Sequence, residues 1–127
     1  MIKAKPSLAY SLFFLILCTI LLTLPGSAFP KENWLDKIWF DKWVHIGMFA
    51  LLTVTWSWTV FDHTPTSDKL QAYFFFIAVL FIGYGITIEF IQQRYVSNRS
   101  FDKGDIIADA GGALAGYVFS CWRYIKK

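Results

Sequence analysis

The sequence predicts an all-α fold, an integral-membrane four-helix bundle. Three observations lead there: 56% of the 127 residues are hydrophobic, only 17% are charged, and the apolar residues gather into four long runs. A soluble domain carries about 25% charged residues. The runs occupy 7–24, 43–61, 70–92 and 106–125, that is 18, 19, 23 and 20 residues. Each approaches the roughly 20 residues that cross a hydrocarbon core about 30 Å thick. Together they take 80 residues and leave 47 for tails and loops, so 1–127 reads as a single transmembrane domain. The runs are apolar all round rather than along one stripe, which sets them apart from the surface helices of a globular protein. They are also twice the length of a barrel strand and lack its alternation.

The first run follows Lys3 and Lys5 and ends at Pro25-Gly26. Basic residues, an apolar stretch and Gly26-Ser27-Ala28 have the order of a secretory signal, whose apolar region is usually about 7–15 residues. At 18 residues this run is longer, and it is expected to be a retained first helix. The loop 25–42 contains Trp34, Ile38 and Trp39 among acids and lysines, a pattern that fits an interfacial amphipathic segment or a solvated loop equally. The second run opens with Asp41, Lys42 and His45, and Asp41 and His45 share a face at i,i+4. After the polar turn 62–69, with His63 and Pro65, the third run closes with Glu89 and Gln92 at i,i+3. Arg99 sits in the next loop, and Asp105 and Asp109 open the fourth run at i,i+4.

Trp34, Trp39, Trp43, Trp56, Trp58, Tyr95, Trp122 and Tyr124 lie near run ends, as an aromatic belt requires, with helix filling as the bland reading. Four crossings put the N-terminus, the turn 62–69 and the C-terminus on one side. Lys and Arg number six on each side, so the positive-inside rule ties. The cations flanking the first and last runs have few acidic neighbours, which sets both termini as cytoplasmic. Cys18 and Cys121 lie inside runs without metal-ligand spacing and read as small apolar fillers.

Whichever way the chain is oriented, Asp41, Lys42, His45, Glu89, Gln92, Arg99, Asp105 and Asp109 are expected at one membrane–water interface. A charged residue at the centre of a membrane helix costs about 2.5–3.5 kcal/mol on insertion scales, so such residues normally face the bundle interior or a functional cavity. Ala108, Gly112 and Gly116 repeat at i+4 and form a small-residue stripe for close helix packing. Gly83 and Gly85 of the third run are its expected partners, within one chain or between two copies.

Asp41-Lys42 with His45, Glu89-x-x-Gln92, Arg99, Asp105, and Gly112 with Gly116 together resemble the VanZ-like family of small bacterial multi-pass membrane proteins. The resemblance covers 41–117. It departs at Asp109, where the family pattern more often shows Asn. It implies a bacterial cytoplasmic membrane location and an envelope-related role, and no particular reaction.

Three readings of the polar constellation follow. Asp41 and Asp105 stand where helix N-caps belong, and Glu89 with Lys42 or Arg99 would make a purely structural ion network. Alternatively, two helix N-termini together with Lys42, Arg99 and Lys103 would bind an anionic lipid or a lipid-linked cell-wall intermediate through phosphate. A third reading, from a different class, is a membrane-embedded enzyme acting on a lipid head group. There His45 would be general acid or base, and Glu89, Asp105 and Asp109 would hold a divalent metal or activate water. The sequence has no HExxH, GxSxG or Walker loop, and no cofactor is expected beyond that metal. The net charge of +3 is spread over both sides, which excludes a nucleic-acid strip. No inverted repeat or broken helix points to transport.

Overall fold

A computed structural model describes residues 5–23, 40–66, 68–95 and 103–125. Among them are four helices and no strand: α1 (Pro6–Leu22), α2 (Phe40–His63), α3 (Leu70–Tyr95) and α4 (Lys103–Tyr124). Pro6 opens α1 at its first turn, where its fixed φ suits the helix and its missing N–H would be unpaired anyway. At the other end the Thr23 N–H bonds the carbonyls of Thr19 and Ile20. By length and composition, two stretches are able to cross a membrane: Lys42–His63 of α2 and all of α3. Helix α1 has 17 residues, and α4 carries Lys103, Asp105, Asp109 and Arg123.

The helices run up and down. Lys5 Nζ donates to the Asp62 carbonyl at 2.7 Å, so the start of α1 lies at the end of α2. Phe61 stacks on Tyr124 at 5.0 Å, and Tyr124 meets Phe74 edge-on at 6.1 Å, bringing the end of α4 and the start of α3 to the same place. The most extensive helix pair is α2 with α4, which run parallel. Its tightness comes from two glycines. A Cβ on Gly112 would collide with the Ile46 carbonyl oxygen, and one on Gly116 would sit 2.6 Å from that of Ala50. The small-residue stripe therefore packs within the chain against α2. It does not pack on α3 as expected: a Cβ on Gly83 would meet nothing within 4 Å, and Gly85 faces Asp109 and Phe49.

The polarity of the bundle is inverted. Phe13, Phe76, Ile107, Val118 and Trp122 are more than 60% exposed, whereas Ser7, Ser11, Ser57, Glu89 and Ser120 are at 0%. The buried apolar core is small, built on Phe49, Leu52, Ile77, Ala78, Phe81 and Ala113. Hydroxyls tie the outermost helix, α1, to α2. Ser11 Oγ and Thr59 Oγ1 lie 2.6 Å apart, Ser11 donates to the Thr55 carbonyl at 2.8 Å, and Ser7 donates to Asp62 Oδ2 at 2.8 Å. Between α1 and α3 the Thr19 and Tyr84 hydroxyls meet at 2.6 Å. Beside them lies an open apolar groove of about 380 Å³, lined by Leu15, Trp56, Ile77, Leu80 and Phe81 among others.

Candidate functional site

The up-and-down order sends the start of α2, the end of α3 and the start of α4 to one end of the bundle. Four of the expected residues bond there directly. Lys42 Nζ donates to Asp105 Oδ1 at 2.7 Å. His45 Nδ1 lies 2.6 Å from Asp109 Oδ1, and its Nε2 lies 3.7 Å from Asp105 Oδ2. A carboxylate only accepts, so the Nδ1–H donates to Asp109. The imidazole thus faces a carboxylate on each side, hydrogen-bonded to Asp109 and at ion-pair distance from Asp105. Phe49 lies nearly parallel to the ring, 6.4 Å away, and forms the floor of the site.

These contacts follow from local spacing. Lys42 and His45 are three apart on α2, and Asp105 and Asp109 are four apart on α4, so each pair presents one face. Because the two helices run parallel and close, both rungs form at once. Asp109 is held tightly from behind: a Cβ on Gly85 of α3 would lie 2.7 Å from Asp109 Oδ2. Asp105 lies in the first turn of α4, where a negative charge favours the helix dipole.

Glu89 is fully buried. Gln92, 1% exposed, turns away from the charges and donates from Nε2 to the Leu22 carbonyl in the last turn of α1. A helix leaves its final carbonyls unbonded, so Gln92 closes the end of α1. Ala108 is buried on α4 beside Asp109. Arg99 lies outside the described residues, as do Trp34, Trp39 and most of the loop 25–42.

Several expectations are corrected in detail. Asp41 lies within α2 and Asp105 is the third residue of α4, so neither precedes its helix as an N-cap does. Both helices begin about three residues earlier than the hydropathy boundary, because helical backbone continues past the apolar stretch into polar residues. Helix α3 extends to Tyr95, which leaves Glu89 nearly two turns from its end rather than one. His63 is the last residue of α2 rather than part of a turn. Its Nδ1–H donates to the Thr59 carbonyl at 2.8 Å, and its Nε2 accepts from the Lys5 N–H at 3.3 Å.

The described cluster holds three carboxylates (Glu89, Asp105, Asp109) against Lys42 and His45. Lys42 is its most open member, with 23% of its side chain exposed against 8% for Asp105, 6% for His45 and 2% for Asp109. Among the described residues no group of three or more His, Cys, Asp and Glu side chains is arranged to hold a metal ion. Sequence reasoning missed the buried hydroxyls Ser7, Ser11, Thr53, Ser57 and Ser120. Their only signal was small hydroxyl residues four apart inside apolar runs, as in Ser7 with Ser11 and Thr53 with Ser57. Compared with known protein families, characterised proteins and solved structures, the chain matches none.

Proposed function

We propose that this chain is a small multi-pass protein of the bacterial cytoplasmic membrane, VanZ-like and envelope-related. On this reading all four helices insert, with both termini cytoplasmic. Its polar cluster takes the phosphate-bearing head group of an anionic lipid or of a lipid-linked cell-wall intermediate. The inverted polarity supports insertion. In water, an apolar exterior around a carboxylate- and hydroxyl-lined interior is unfavourable on both counts, whereas in lipid it is the stable arrangement.

The observation that carries the ligand reading is Lys42. It is the exposed rim of an otherwise buried cluster, and Asp105 fixes its ammonium in place. An oriented cation at a membrane interface recognises phosphate. His45 lies beneath, 3.7 Å from Asp105 and bonded to Asp109 on its other side. Arg99, between α3 and α4 in the sequence, offers a second cation whose planar fork suits bidentate phosphate contact.

Lipid analysis of the purified protein tests this. Wild type should carry phosphate lipids that a Lys42→Ala/Arg99→Ala double variant loses several-fold. An identical lipid complement in both would remove the reading. The structural ion network is the second reading, favoured by the pairing of Lys42 with Asp105 and of His45 with Asp109. It is the conclusion if the double variant loses thermal stability and keeps its lipids.

A further inference from the structure

Hydroxyls inside helices commonly return to a carbonyl of the preceding turn. Thr19, Thr55, Thr59 and Thr87 all do so, bonding Leu15, Leu52, Thr55 and Gly83. Thr53, Ser57 and Ser120 break the pattern. Each is at 0% exposure, and none of the three hydroxyl oxygens has a hydrogen-bond partner among the described residues.

The three exceptions share one place, the seam between α2 and α4. Thr53 packs against Gly116, where a Cβ would sit 2.8 Å from that of Thr53. Ser57 is one turn beyond Thr53, and Ser120 is one turn beyond Gly116. Lys42 pairs with Asp105 at an offset of 63 positions, and Phe61 pairs with Tyr124 at the same offset (124 − 61). That register sets Ser57 opposite Ser120 and Thr53 opposite Gly116.

We propose that this stretch of the seam is a second polar site, holding ordered water on the hydroxyls of Thr53, Ser57 and Ser120. Buried hydroxyls in native structures are bonded to protein or to ordered water, and a buried water typically takes two to four polar partners. Three hydroxyls on facing helices supply that number. A hydrocarbon chain satisfies none of them, and their complete burial closes the seam to lipid. The occupant is water-sized, since Gly116, facing Thr53, and Gly112 one turn further bring the backbones too close for a Cβ. The ionic cluster lies toward one end of the seam, and the stacked Phe61 and Tyr124 close the other. The site is independent of the lipid reading.

The test uses the full chain in proteoliposomes. Water-edited solid-state NMR reads magnetisation transfer from water to Thr53, Ser57 and Ser120, and thermal unfolding in detergent compares variants. The expected result is water transfer to all three, greatly reduced in Thr53→Val/Ser57→Ala/Ser120→Ala, with a Tm several degrees lower. Thr53→Ser, which keeps the hydroxyl and removes only a methyl, should retain the signal and so control for packing. Absence of water transfer in the wild type overturns the proposal. In that case the triple variant should unfold at a higher temperature, because three unbonded hydroxyls have been removed.

Discussion

Lys42 and Asp105 meet at 2.7 Å across 63 positions of sequence, and the same parallel register runs the length of α2 and α4. His45 and Asp109 follow at an offset of 64, and Phe61 and Tyr124 at 63. Ionic rungs at one end and an aromatic rung at the other therefore belong to a single helix pair. A shift of one residue would break all three at once. The ionic rungs define the register of this pair more than they stabilise it, because desolvation opposes much of the Coulombic gain of a buried ion pair.

The first prediction concerns the outer rung. Lys42→Ala leaves Asp105 buried with a charge and one partner fewer, whereas Asp105→Asn keeps an oxygen that still accepts from Lys42. Removing one partner of a buried pair costs about 3–5 kcal/mol, and the partial exposure of Lys42 brings the expected loss down to about 1–3 kcal/mol for Lys42→Ala. Asp105→Asn should cost less. Thermal or denaturant unfolding of both single variants and the double gives the coupling energy, and a value near zero would show that the contact adds nothing.

The inner rung gives the second prediction. Asp109→Asn keeps the shape and retains an acceptor for the His45 Nδ1–H, so it should fold normally and lose about 1 kcal/mol or less. Asp109→Ala leaves the His45 donor buried without its partner and opens a void against Gly85. Its cost should be about 2–4 kcal/mol. Equal losses in the two variants would mean that the carboxylate charge matters more than the hydrogen bond. An NMR shift of the His45 ring nitrogens reports the same contrast directly.

The end-of-run polar residues were legible in the sequence because apolar runs order the ends of a bundle even when the helices' neighbours are unknown. Which residue bonds which was not legible. Glu89 had Lys42 or Arg99 as candidate partners, and the bond from Lys42 to Asp105 stayed hidden until the α2–α4 register was known, a register that depends on backbone approach at Gly112 and Gly116. The stripe itself was visible from its i+4 spacing, but nothing in the spacing told α2 from α3 as its partner. The hydroxyl contacts of α1 were hidden for a different reason. Ser7, Ser11 and Thr59 look like ordinary helix residues until their partners lie alongside.

The glycines provide a third prediction, with an internal control. Gly112→Ala and Gly116→Ala put a Cβ against backbone carbonyls that cannot rotate away, so α2 and α4 must separate. Such overpacking costs about 1–3 kcal/mol, more where backbone has to move. Gly111→Ala and Gly83→Ala meet nothing within 4 Å, and in a helix interior they should gain about 0.5–1 kcal/mol. Opposite signs at adjacent positions 111 and 112 are the expected signature in thermal unfolding. Destabilisation by both would place the close helix approach on another face.

The last prediction is that α1 stays on the mature protein. A cleavable signal leaves its domain intact when removed, but here the bundle uses α1 throughout its length. Gln92, 1% exposed, spends its amide on the Leu22 carbonyl. Tyr84 bonds Thr19, Thr59 lies against Ser11, and Asp62 accepts from Ser7. Removing α1 strips these partners from α2 and α3 and takes Leu15 and Thr19 from the groove they line with Trp56 and Phe81. N-terminal sequencing of the purified protein should therefore find a start upstream of Lys5, and a start at Phe29 would contradict it. Gln92→Leu tests the linkage without cleavage. It removes the donor at the end of α1 while keeping the volume, and should cost about 1–3 kcal/mol through the unbonded carbonyl. Protease sensitivity should rise first near residue 22, before the α2–α4 pair opens, because only the α1 end loses its bond.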